Sequence, residues 1–178
     1  DIFHSDVTIK TNEPTAEVFG PTRSDSYATS AKRLQIGAAC LPTKCYISLV
    51  NTWLIDPSVT SWDVIGAYLD DVELKTHSHT YVSTANTTTY FDNLQIESDG
   101  LGNSVNLPDA GTDMIINMDF TVSRGGTVYG SYQHAMEDTT LANSKLYHID
   151  FSGYGNVFDF YGTADEVYDQ MNGVDIDV

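Results

Sequence analysis

The amino-acid sequence predicts an all-β domain of β-sandwich or jelly-roll type, with one short helix near its C-terminus. Three observations carry that expectation. Apolar and polar residues alternate over several short runs, helical spacing is confined to one place, and clusters of Gly, Pro, Asn and Asp punctuate the chain at short intervals. The 178 residues suit one domain, and a chain of that length removes roughly 70% of its unfolded surface from water.

From the N-terminus, DVTIK has a strand pattern, so residues 1–10 read as a strand or arm and residues 11–178 as a single sandwich domain. The stretch 11–30 holds two prolines and many small polar residues and reads as an extended loop. RLQI and CYISLV follow as strands. Cys40 and Cys45 flank Leu-Pro-Thr-Lys, a spacing that predicts a disulfide across a hairpin turn, worth about 2 kcal/mol by loop closure. Reduced cytosolic thiols are the alternative. With no further cysteine, the pair is a poor start for a structural zinc site. Asp56-Pro57 could open a short helix, but the β-branched residues after it argue against one.

The central segment, from Tyr68 to Ile96, begins YLDDVEL and ends YFDNLQI. Strict alternation in its first part would place Val72, Leu74, Thr76, Ser78 and Thr80 on one face, and Glu73, Lys75, His77 and His79 on the other. His77 and His79 are then a two-imidazole candidate for a metal, completed by His134, His148 or an acid. Asn86-Thr87-Thr88 is an N-glycosylation sequon, meaningful in a secretory eukaryote. Residues 98–113 read as a long loop in which Asp99, Asn103, Asn106, Asp109 and Asp113 offer oxygens enough to wrap a calcium ion, without EF-hand spacing. No other cofactor is expected.

MIINMDFTV is the strongest alternation: Ile116, Met118, Phe120 and Val122 share one face, and Asn117, Asp119 and Thr121 the other. Gly125-Gly126 after it suits a two-residue hairpin turn. LYHIDF and NVFDFY are strands around the turn Gly153-Tyr-Gly155. TADEVYDQMNG carries the helix signal, with Thr163 as cap, Glu166 completing a capping box and Gly173 as terminator. VDIDV closes the chain as a strand.

Twenty-five acidic against eight basic residues give a formal charge of -17, which disfavours nucleic acid and anionic lipid as partners. No apolar run reaches the roughly 18 residues needed for a membrane-spanning helix. The start at Asp1 without a signal-peptide core, together with the paired cysteines, predicts an extracellular or cell-surface protein whose leader has been removed.

The phrase Y-[LF]-D-[DN]-[VL]-x-[LI], seven residues at two places, resembles the closing strand of jelly-roll carbohydrate-binding modules. That resemblance implies glycan binding, for which Trp53, Trp62, Tyr129 and Tyr132 would supply the stacking rings. No nucleophile or acid–base setting points to an enzyme, although 25 acids leave room for a glycoside-acting or metal-dependent one. The leading expectation is a structural or surface protein that self-assembles into a filament, pilus, shell or adhesive coat. Its means would be strand addition at the strand-like termini, in a chain with little lysine to guard its edges.

Overall fold

The computed structural model describes residues 2–3, 23–109, 113–137, 147–149, 157–160, 167–169 and 171–178. Two antiparallel sheets pack face to face. The front sheet runs β1 (Ile2–Phe3), β2 (Arg23–Ala28), β3 (Lys32–Cys40), β4 (Cys45–Trp53), β11 (Ile115–Val122), β7 (Thr80–Ser83) and β8 (Thr88–Phe91), with β6 (Leu74–His77) also paired to β11. The back sheet runs β15 (Val174–Asp177), β12 (Thr127–Gln133), β5 (Trp62–Asp70), β10 (Gly100–Asn106) and β9 (Leu94–Glu97). β13 (Tyr147–Ile149) pairs with β14 (Phe158–Phe160) as a separate ribbon.

Period-two burial builds the core between the sheets. Leu34, Ile36, Ile47, Leu49, Ile116 and Met118 point inward from the front sheet, and Ile65, Ala67, Leu101, Val128 and Tyr132 meet them from the back. β11, RLQI within β3, CYISLV within β4 and VDIDV within β15 are strands as expected, but Asn117 and Thr121 of β11 and Ser48 and Val50 of β4 are buried on the other face too. Cys40 and Cys45 are register partners at the β3–β4 turn and form the expected disulfide.

The ribbon makes a third layer on the outer face of the back sheet. Ile149 and Phe158 pack there with Val64, Ala135, Val157 and Tyr168 as a second apolar cluster. Glycine makes room for it. A Cβ on Gly66 would stand 2.9 Å from the Phe158 ring and 2.4 Å from the Leu101 carbonyl, and one on Gly100 would stand 2.4 Å from Ile149. Glycine inside a strand marks such close approach.

That packing explains the first departure from the sequence reading. SDGLGNSVN, expected to be loop, contains β10, a strand between β5 and β9. Its Gly100 serves the third layer rather than a turn. The second departure is Gly125-Gly126. β11 and β12 lie in different sheets, so this is no hairpin but a crossing between them. Gly125 takes φ 103°, and a Cβ on Gly126 would collide with the Asp70 carbonyl at 2.1 Å. The third lies in β6, where a register shift between Thr121 and Val122 sets Leu74 opposite Val122 and Thr76 opposite Thr121. A bulge breaks alternation, so Leu74 and Thr76 face opposite ways.

The paired phrases YLDDVEL and YFDNLQI are corners, not closing strands. The first carries the chain from β5 in the back sheet to β6 in the front, with Asp71 in the left-handed region at φ 63°. The second carries it from β8 back to β9. Residues 54–61 are irregular, with no helix at Asp56. DVTIK, the Gly153–Gly155 turn and residues 163–166 and 170 of the expected helix lie outside the described residues, and 167–169 and 171–173 of that helix are not α-helical. Within that last segment Tyr168 forms an antiparallel bridge to Ala135.

Candidate functional site

The sandwich has two lateral margins, each formed by an outer strand from each sheet, and they differ in chemistry. On one side β15 packs beside β2 and β3. The Asp175 N–H donates to the Asp25 carboxylate at 3.0 Å, and the Arg23 guanidinium donates to the Asp177 carbonyl at 2.6 Å. β15 also pairs with β12, and Ile2 and Phe3 pair with Tyr27 and Ser26. Each described terminal strand therefore has a partner within the chain on one side, while DVTIK lies outside the described residues.

At the other margin no strand among the described residues pairs with the outer side of β8 or β9. β8 ends the front sheet, β9 ends the back sheet, and Asp92-Asn93 joins them. Thr88, Thr89 and Tyr90 are exposed, Tyr90 to 64% and Ile96 on β9 to 52%. Neither strand holds lysine or proline. Between the margins of the two sheets lies a groove of about 160 Å³ lined by His77, Ser78, His79, Phe91, Asp92, Leu94 and Asn103. Asn103 Nδ2 donates to the Phe91 carbonyl at 3.1 Å, and Tyr90 stands at the rim with its ring 6.0 Å from that of His79 and 5.9 Å from that of Tyr81.

The two histidines thus reach one groove, but the expected metal sets do not assemble. Among the described residues no three His, Cys, Asp or Glu side chains come together as ligands. Residues of the proposed calcium loop are spread along a strand instead: Asp99 precedes β10, Asn103 faces inward at its middle, and Asn106 ends it. Asp109 accepts a bond from the Thr60 hydroxyl at 2.8 Å, and Asp113 occupies a turn at φ 56°. The His148 side chain lies outside the described residues, and His134 belongs to a different cluster. The four rings expected to stack on sugar share no surface. Trp53 and Tyr132 are buried in the core, while Trp62 and Tyr129 are half-buried against the third-layer cluster. Asn86 is exposed at the β7–β8 turn, where Thr84 N–H donates to the Thr87 carbonyl at 2.8 Å.

A second constellation escaped the sequence reading. At the end of the sandwich away from the disulfide, Asp63 is fully buried and points between the sheets. Its carboxylate accepts from the Tyr132 hydroxyl, from His134 Nδ1 at 2.9 Å and from the Ala135 N–H at 2.8 Å. Burial pushes the Asp63 carboxyl above its ordinary range, against the pull of His134, Tyr132 and Ala135. The Tyr132 phenol is driven well above its ordinary range by burial and by Asp63. Beside this group Lys32 Nζ contacts Asp169 Oδ2, and Asp169 Oδ1 accepts the His134 backbone N–H at 3.0 Å. The Trp53 ring meets the His134 ring edge-on at 4.7 Å and lies 5.4 Å from Lys32 Nζ.

Asp63 and His134 have the orientation of an acid–base pair, yet among the described residues no hydroxyl or thiol sits on His134 Nε2. The pair therefore lacks the nucleophile that acyl transfer requires. One signal was visible in the sequence: Asp63 interrupts the apolar run WDVIGAYL, and a charge inside such a run needs buried partners. Comparison with family models, curated proteins and solved structures finds no match to this chain.

Proposed function

We propose that this protein is a subunit of an extracellular assembly, such as a coat, shell or filament, and that its copies join through the outer edge of β8. The observation that carries the reading is the β8 edge. Unpaired strand edges template further strands unless charge, proline, bulges or a cover protects them. β8 presents Thr-Thr-Tyr-Phe with no such charge or proline, beside an exposed Ile96. Strand addition there needs no reactive side chain, because main-chain hydrogen bonds supply the contact. The Cys40–Cys45 disulfide fits an oxidising compartment.

Alternation of ladder bonds from the Thr84–Thr87 pair leaves the N–H groups of Thr88 and Tyr90 pointing away from β7. Thr88→Pro then removes an outward donor without removing a bond of the sheet. Sedimentation velocity should show concentration-dependent oligomers for the parent chain and monomers for Thr88→Pro. A parent that stays monomeric at its highest soluble concentration overturns the reading.

The groove favours a second reading, capture of a small glycan unit. Tyr90 and Phe91 offer ring faces beside Asp92, Asn103, His77 and His79, the aromatic and polar mixture that sugar hydroxyls and C–H faces require. A monomer that binds on a glycan array and loses the signal with Tyr90→Ala would replace assembly with recognition.

A further inference from the structure

Lys32 and Asp169 meet in surroundings unlike those of a surface ion pair. The Lys32 side chain is 4% exposed and that of Asp169 21%. The Lys32 amine faces the rings of Trp53 at 5.4 Å and Tyr132 at 6.0 Å. Its contact with the carboxyl oxygen of Asp169 is direct, and the other oxygen is held by the main-chain N–H of His134. His134 is itself pinned through its ring to the buried Asp63. An amine and a carboxyl group are thus fixed against each other, with an oriented donor on the carboxyl and aromatic walls around them.

We propose that Lys32 and Asp169 condense into an intramolecular isopeptide bond within the folded protein. One proton passes along the contact from the ammonium to the carboxylate, leaving a free amine and a carboxylic acid. The Nζ lone pair adds to Cγ of Asp169, forming the C–N bond and placing negative charge on Oδ1. The His134 N–H already points at that oxygen, so the charge develops where a donor waits. Collapse of the adduct expels the former hydroxyl, which leaves as water with a proton from the nitrogen. The product is a secondary amide, and neither oxidant, cofactor nor second protein is consumed. Holding the two groups in contact replaces a bimolecular encounter with an intramolecular one. Aromatic walls exclude the bulk water that would drive the reverse hydrolysis.

The bond would join β3 of the front sheet to the segment entering β15 of the back sheet, residues 137 positions apart. It does not depend on the assembly reading, since a monomer would carry it equally. The deciding measurement is the intact mass of the full chain, denatured and with its disulfide reduced. The expected parent mass is lower than the sequence mass by one water, with Lys32→Ala and Asp169→Ala both at full mass. Proteolysis of the parent should release a branched peptide containing both residues. A parent at full sequence mass leaves an ion pair only and overturns the proposal. So does a water loss that persists in Lys32→Ala, which would place it elsewhere, for example in a succinimide at Asp99-Gly100.

Discussion

The two lateral margins of this sandwich are built alike and finished differently. Each sets an outer strand of the front sheet beside an outer strand of the back sheet. At the β2–β15 margin, Asp25 and Arg23 bond to the main chain of β15, and nearby Lys32 meets Asp169. At the β8–β9 margin β8 presents hydroxyls and a tyrosine, and β9 an exposed isoleucine, with Asp92 and Glu97 as the charges beside them. The difference teaches one use of charge in this very acidic chain. Where it is turned inward and paired it seals an edge; β8 itself holds none, and among the described residues no strand covers it.

The largest expected effect breaks the sealed side. Lys32→Met keeps the volume but leaves Asp169 without its cation, and losing one partner of a buried pair costs about 3–5 kcal/mol. Denaturant unfolding should show that loss, whether the pair is ionic or covalent. Asp25→Ala comes next. Asp25 is buried, and removing it strands the Asp175 N–H, which costs about 1–3 kcal/mol. It should also give the molecule a second unguarded edge, read as larger or irregular oligomers in sedimentation.

A pH series sharpens the comparison on the β8–β9 side. Asp119 lies on the outer face of β11, near Tyr81 of β7, and burial pushes its carboxyl above the ordinary range despite Ser48 and Asn117. A carboxyl raised in the folded state binds its proton more tightly there than in the unfolded chain. Its contribution is therefore fully present below the ordinary carboxylate range and is lost as pH climbs through the raised value. Melting temperatures taken between about pH 4 and pH 7 should fall less for Asp119→Asn than for the parent. The smallest effect on stability is that of Thr88→Pro, within about 0.5 kcal/mol for an exposed edge position. Its effect on association should be the greatest of all.

The fold was legible where local pattern and tertiary demand agreed. β11 alternates because one of its faces is core, and Cys40 and Cys45 sit where a short turn brings them into register. β10 was illegible because its Gly100 answers to Ile149, which lies some fifty residues downstream along the chain. Gly125-Gly126 has hairpin chemistry, yet which sheet receives the next strand is decided by β5, not by the turn. Of the candidate site, the two histidines and Asn103 were named, Asn103 for a different set, and Phe91 and Asp92 were not, since the groove is closed by strands from both sheets. The cluster of Lys32, Asp63, His134 and Asp169 draws on four separate segments, and only the lone acid in WDVIGAYL hinted at it.

β4 finds its second ladder partner in β11, which the ribosome delivers only after β5 to β10 have been made. Until then the β3–β4 hairpin has one edge of backbone N–H and C=O groups without its ladder partner. Pairings between such distant segments pay loop entropy early and make folding slow, on the order of milliseconds to seconds for β-rich topologies. During that interval the unpaired β4 edge is a template for the wrong strand, so the order of synthesis matters more to this chain than the speed of any turn.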